Sequence, residues 1–218
     1  MATEQKFTRK LSAILNADVE GYSLLMTNDE SSTIRTLKEY RIIMAERIKQ
    51  HSGRVVDTPG DNLLAEFSSA VNAVQCSVEI QNKLKERNAD LPGDKRLVFR
   101  IGVNIGDVVQ DEDRIYGSGV DIAARIEGVA EPGGICISRN TYDHVKNKLE
   151  LEFEFLGEHE AKNIKEPVRV YKVLLDSDQT KPLAKETMEL PERPSIAVLP
   201  FVNMSGDPQH EYIGDCIT

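Results

Sequence analysis

Residues 11–17, Leu-Ser-Ala-Ile-Leu-Asn-Ala, form a mainly apolar run that stops abruptly at Asp18. A short apolar segment bounded by polar residues reads as a buried strand. The strand therefore delivers a carboxylate to its own end. The loop Val19-Glu20-Gly21-Tyr22-Ser23 follows, and Asp29, Ser31 and Ser32 offer helix caps. Beyond them Ile34, Leu37, Met44 and Ile48 recur at helical spacing.

Residues 53–56 and 63–67 read as two strands joined by the tight turn Thr58-Pro59-Gly60-Asp61. A second amphipathic helix spans 69–88 on Val71, Val74, Val78 and Leu84, and Leu91-Pro92-Gly93-Asp94 breaks the chain. Leu97, Phe99, Ile101, Val103 and Ile105 then alternate with other residues at the period of a strand. Asp111-Glu112-Asp113 reads as a hairpin tip, 117–130 as a helix, and 135–137 as a short strand. Ser138 caps a further helix, and strands near 151–156 and 168–174 close the unit. Such an order predicts an α+β, ferredoxin-like fold with helices on a mostly antiparallel sheet over residues 8–175. Residues 176–193 are polar and aperiodic and read as a linker. A new strand signal at 195–201 reads as the front edge of a truncated second domain over 194–218, in preference to a strand docking back on the first.

Composition narrows the function. The chain has 218 residues, 27 Lys and Arg against 36 Asp and Glu, hence a net charge of −9. That balance argues against nucleic acid polymers, which need clustered cations. No apolar run approaches the roughly 18 residues of a membrane span, and the polar N-terminus is not a signal peptide. Cys76, Cys136 and Cys216 are widely spaced and odd in number. They read as small core residues in a reducing cytoplasm. The four His lack ligand spacing, and no GxSxG, HExxH or P-loop pattern occurs.

Two acids are candidate metal ligands. Asp18 ends a buried strand, and Asp61 lies in the Gly-Asp turn of a hairpin. Mg²⁺ takes hard oxygens, typically one or two carboxylates plus substrate phosphates. The competing reading is that both acids only cap turns. Gly21, Tyr22 and Ser23 precede a helix start and could offer backbone N–H groups to phosphates. Asp121 and Arg125 share a helix face at i, i+4, either as a surface pair or as a polar face turned into a cleft. Lys162 follows a strand and could reach phosphate; the plainer reading is a solvated surface lysine.

Together four segments resemble the class III nucleotide cyclase catalytic domain: Ala17-Asp18-Val19-Glu20-Gly21-Tyr22-Ser23, residues 58–67 (TPGDNLLAEF), residues 100–106 (RIGVNIG) and residues 116–125 (YGSGVDIAAR). The resemblance covers roughly residues 11–173. It implies conversion of a nucleoside triphosphate, ATP or GTP, to a 3′,5′-cyclic nucleotide and pyrophosphate. It also implies two Mg²⁺ or Mn²⁺ ions on Asp18, Asp61 and the Val19 carbonyl. The site would be shared in a homodimer, with Arg125 and Lys162 acting across the two-fold axis. The segment from 193 resembles the opening of a TolB-like domain.

The sequence departs from the family pattern at four positions. Asp57 stands where adenylyl cyclases carry Lys, and Arg114 where Asp or Thr is common. Asp121 replaces the usual Asn that orients the ribose, and Asn163 follows Lys162 where Gly is usual. Asp57 as acceptor and Arg114 as donor match the guanine edge, since Arg pairs with O6 and N7. Alternatively the two bind each other and close the base pocket, leaving a weak or silent dimerising regulatory or nucleotide-binding module. A receiver domain phosphorylated on Asp18 is less well supported, because the required acidic pair and Thr/Ser…Lys set are not found.

Overall fold

The computed structural model describes residues 7–160 and 167–175. The linker and the second-domain strand expected from the sequence, together with Lys162 and Asn163, lie outside the described residues.

The chain runs β1 (Thr8–Val19), α1 (Tyr22–Asn28), α2 (Glu30–Gln50), β2 (Gly53–Asp57), β3 (Leu63–Phe67), α3 (Ala70–Ala89), β4 (Phe99–Asp111), β5 (Arg114–Tyr116), α4 (Ser118–Val129), β6 (Ile135–Ser138), α5 (Arg139–Val145), β7 (Glu152–His159) and β8 (Val168–Leu174). The eight strands form one sheet in the order β2-β3-β1-β4-β6-β8-β7, with β5 paired to β4. Among the described residues only β4 and β6 pair in parallel. The α+β, mostly antiparallel fold expected from the sequence is therefore the fold observed. Its first half, β1-α2-β2-β3-α3-β4, builds the strand order β4-β1-β3-β2, the arrangement of a ferredoxin-like unit.

Three helix starts are set by the expected residue types. Asp29 accepts from the Ser32 amide, Ser69 from that of Asn72, and Ser138 from that of Thr141. The predicted loop to Ser23 instead turns into α1, which buries no residue.

Alternation along the strands gives the sheet two different faces. Ala13, Leu15 and Ala17 of β1 pack with Leu63, Ala65 and Phe67 of β3 and with Phe99, Ile101 and Val103 of β4. This is the face that α2 and α3 cover with Leu37, Tyr40, Met44, Ile48, Val74, Ile80 and Leu84. The other face carries Ile14, Asn16 and Asp18 of β1 and Arg100, Gly102 and Asn104 of β4. Helix α4 lies on it, with Ala123 packed against Ile14, Val108 and Ile115.

Cys76 and Cys136 are buried core residues, as expected, and burial pushes both thiols up to about 12. No helix among the described residues is long and apolar enough to cross a membrane.

Candidate active site

The site grows from the register of β1 with its neighbours. Asp18 and Arg100 are opposite each other across β1 and β4, and Ala17 is opposite Leu63 of β3. That second pairing brings the β2–β3 turn, which carries Asp61, alongside the end of β1. Asp18 and Asp61 are thereby close enough for each charge to act on the other. Burial, then the charge and hydrogen bond of Asp61, raise the Asp18 carboxyl above its ordinary range, against the lowering effect of Arg100.

The turn is held from outside the sheet. Gly60 adopts φ 58°, which glycine tolerates without strain. Arg41 of α2 reaches across and donates through one terminal nitrogen to the carbonyls of Thr58, Gly60 and Asn62. Sequence reading missed Arg41, because nothing in its spacing connects a helix residue to a turn 17–21 residues later.

Sequence reading also left Arg100, Glu20 and Glu127 without roles. Arg100 contacts Asp18 at 3.4 Å through Nη2, Glu20 at 3.0 Å through Nη1, and Glu127 at 3.0 Å through Nε. Glu127 comes from α4, which passes directly over Gly102. A Cβ at Gly102 would stand 2.3 Å from the Ala123 carbonyl oxygen and 2.3 Å from the Glu127 amide nitrogen. The bare glycine thus admits the helix and sets Glu127 beside Arg100. The Glu127 side chain is 8% exposed. Its carboxyl is pushed up to about 7 by burial, with Asp18 and Asp61 adding to the rise and Arg100 opposing it. Three acids, Asp18, Glu20 and Glu127, are thus gathered about one guanidinium, with Asp61 beside Asp18.

Gly21 caps α1 with φ 67°, and its carbonyl accepts from the Leu24 and Leu25 amides. The N–H groups of Tyr22 and Ser23 lie in the first turn, where a helix provides no acceptor. Val19 is the last residue of β1, so its carbonyl stands beside Asp18 along the chain.

Asp57 and Arg114 meet at 3.9 Å, with side chains 42% and 64% exposed. Asp57 also accepts from the Thr58 amide at 2.8 Å. Asp121 and Arg125 both lie on the exposed side of α4, and among the described residues no ion pair joins them. Arg125 instead lines a cleft of about 360 Å³ with His159, Glu160 and Val168. Among the described residues no cluster of three or more His, Cys, Asp or Glu side chains has metal-binding geometry. The available donor set is therefore two carboxylates with backbone oxygens. Such all-oxygen donors suit Mg²⁺ or Mn²⁺, and suit zinc or copper poorly.

The family described as "Adenylate and Guanylate cyclase catalytic domain" matches residues 6–174. A protein of Rhizobium meliloti (strain 1021) named "Putative adenylate cyclase 3" is 42% identical over 219 aligned positions, covering 99% of this chain but 37% of that protein. The solved adenylate/guanylate cyclase/hydrolase of Silicibacter pomeroyi superposes with TM-score 0.74 at 39% identity, over 78% of this chain and 100% of that one. The solved guanylyl cyclase Cya2 gives TM-score 0.67 at 27% identity, over 77% and 93% of the two chains. By sequence and by fold, the chain belongs to the family of adenylate and guanylate cyclase catalytic domains.

Proposed function

We propose that this chain is the catalytic domain of a homodimeric nucleotide cyclase for intracellular signalling, converting a nucleoside triphosphate to its 3′,5′-cyclic nucleotide and pyrophosphate. One observation carries the reading. Asp18 stands beside Asp61 and is one of three acids that share a single guanidinium. Two carboxylates so placed need a shared proton or a cation between them.

Asp18, Asp61 and the Val19 carbonyl would hold two Mg²⁺ or Mn²⁺ ions. Bound there, the ions supply activation of the ribose 3′-hydroxyl and neutralisation of the triphosphate. The remaining residues bind and orient. The amides of Tyr22 and Ser23, released by the left-handed Gly21, receive phosphate oxygens. Arg125 and Lys162 of one subunit stabilise the phosphate charge over the acids of the other, with Asp121 directed at the ribose. The 3′-oxygen bonds to the α-phosphorus as the bond to pyrophosphate breaks, so positioning and charge provide most of the acceleration. Asp57 and Arg114 present the acceptor and donor that a guanine edge requires.

A second reading is favoured by the 3.9 Å contact between those two residues. Paired with each other, they close the base pocket. The domain then acts as a dimerising, nucleotide-binding regulatory module with weak turnover.

The deciding assay supplies Mn²⁺ with ATP, GTP, CTP and UTP in turn and detects cyclic products by mass spectrometry. Product from the wild type and none from Asp18→Ala is expected. Equal signals from both proteins would overturn the enzyme reading. GTP is expected to exceed ATP, and Asp57→Lys with Arg114→Asp to restore ATP use. Mixing Asp18→Ala with Arg125→Ala subunits is expected to recover activity, as a shared site requires.

A further inference from the structure

Arg100 is an unusual neighbour for a metal site. An arginine guanidinium offers a planar fork suited to gripping one carboxylate with two parallel hydrogen bonds. Here the fork is divided instead. Each nitrogen faces a different acid, and the contact with Asp18, at 3.4 Å, is the longest of the three. The Nε–Glu127 contact is 3.0 Å long, yet it lacks hydrogen-bond alignment, and both buried atoms are without a hydrogen-bond partner. Its one aligned hydrogen bond is the long one to Asp18, while Glu20 and Glu127 hold it by charge. A divalent ion on Asp18 would compete with it for the same carboxylate oxygens, and the two positive charges would repel. Glu20 and Glu127 each face another nitrogen at 3.0 Å, so the guanidinium has two acid partners besides Asp18.

We propose that Arg100 is a resident counter-cation of Asp18 that competes with the incoming divalent ion, and that Glu127 is the acceptor that draws it aside. The proposal rests on the reading that Asp18 holds the ion. Glu127 is a positioning residue here, acting on the metal through Arg100. It lies on α4 two residues after Arg125, so occupation of Asp18 is registered on the helix that carries the phosphate-facing arginine.

The test uses the full 218-residue chain and Mn²⁺ alone, without nucleotide. The free-ion EPR signal reports binding at low ionic strength and pH 8, above the raised Glu127 value. Arg100→Gln is expected to bind Mn²⁺ roughly tenfold tighter than wild type, about 1.4 kcal/mol. Glu127→Gln is expected to bind several-fold more weakly. The double variant should fall close to Arg100→Gln, because Glu127 acts mainly through the arginine. Unchanged or weaker binding by Arg100→Gln, in a protein whose Mn²⁺ binding is lost in Asp18→Asn, would overturn the proposal and leave the metal reading intact. So would a Glu127→Gln loss that persists undiminished in the double variant. If Asp18→Asn leaves wild-type affinity unchanged, the metal reading fails and the proposal fails with it. Should Arg100→Gln alone not fold, the double variant, which removes both partners of the pair, is compared with Glu127→Gln: tighter binding supports the proposal and equal binding overturns it.

Discussion

The sheet face under α2 and α3 is filled with Tyr40, Met44, Ile48, Phe99 and Ile101, all almost wholly buried. The face under α4 holds smaller apolar clusters and, between them, ionised groups. Arg100 sits with its acids at one end. Glu66 sits at the other, 7% exposed, where burial alone would raise its carboxyl, yet hydrogen bonds from Lys10 and Arg54 bring it below the usual range. One face draws its stability from removing hydrocarbon from water, the other from pairing charges that were costly to bury. The second strategy contributes little net stability but leaves polar groups in fixed positions, as a reactive site requires.

Four measurements would break or sharpen that contrast. Gly102→Ala should be the most damaging, because its Cβ meets backbone atoms at 2.3 Å that no rotamer change can move. A loss of more than about 3 kcal/mol in urea unfolding is expected. Met44→Ala, on the hydrocarbon face, should cost about 3 kcal/mol through its cavity and leave Mn²⁺ binding unchanged. Glu127→Gln should change the pH dependence of stability. The folded carboxyl, pushed to about 7, keeps a proton that the unfolded chain, near 4.5, releases. Wild type should therefore lose stability relative to the variant as pH rises from about 4.5 to about 7, by on the order of 2–3 kcal/mol. Thermal unfolding at several pH values measures it. Arg114→Ala should be the mildest change, under about 0.5 kcal/mol, because the pair with Asp57 is solvent-exposed. A larger loss would show that this pair belongs with the buried ones.

Most of the fold was legible because each long element announces itself locally. Strand alternation, helix spacing and the caps at Asp29, Ser69 and Ser138 need only neighbouring residues. Helix α1 was not legible: it has seven residues, none fully buried, and only Tyr22 and Leu25 pack against the core, too short a pattern to read as a period. In the site, Asp18 and Asp61 stood out by lying at strand ends. Arg41, Arg100 and Glu127 did not, since their partners are fixed by cross-strand register and by a helix crossing a glycine. The Asp57–Arg114 contact was foreseen as one of two alternatives, and the charges of the two residues alone left both open.

The glycine notch at 102 also has a mechanical consequence. A helix resting on side chains can slide or roll by rotamer changes, whereas α4 bears on the bare backbone of β4, where nothing can yield. Helix and strand must translate as one stiff body. A displacement of α4 as a whole then carries Arg100 with it, and the lever arm of such a motion has its hinge outside the α4–β4 contact.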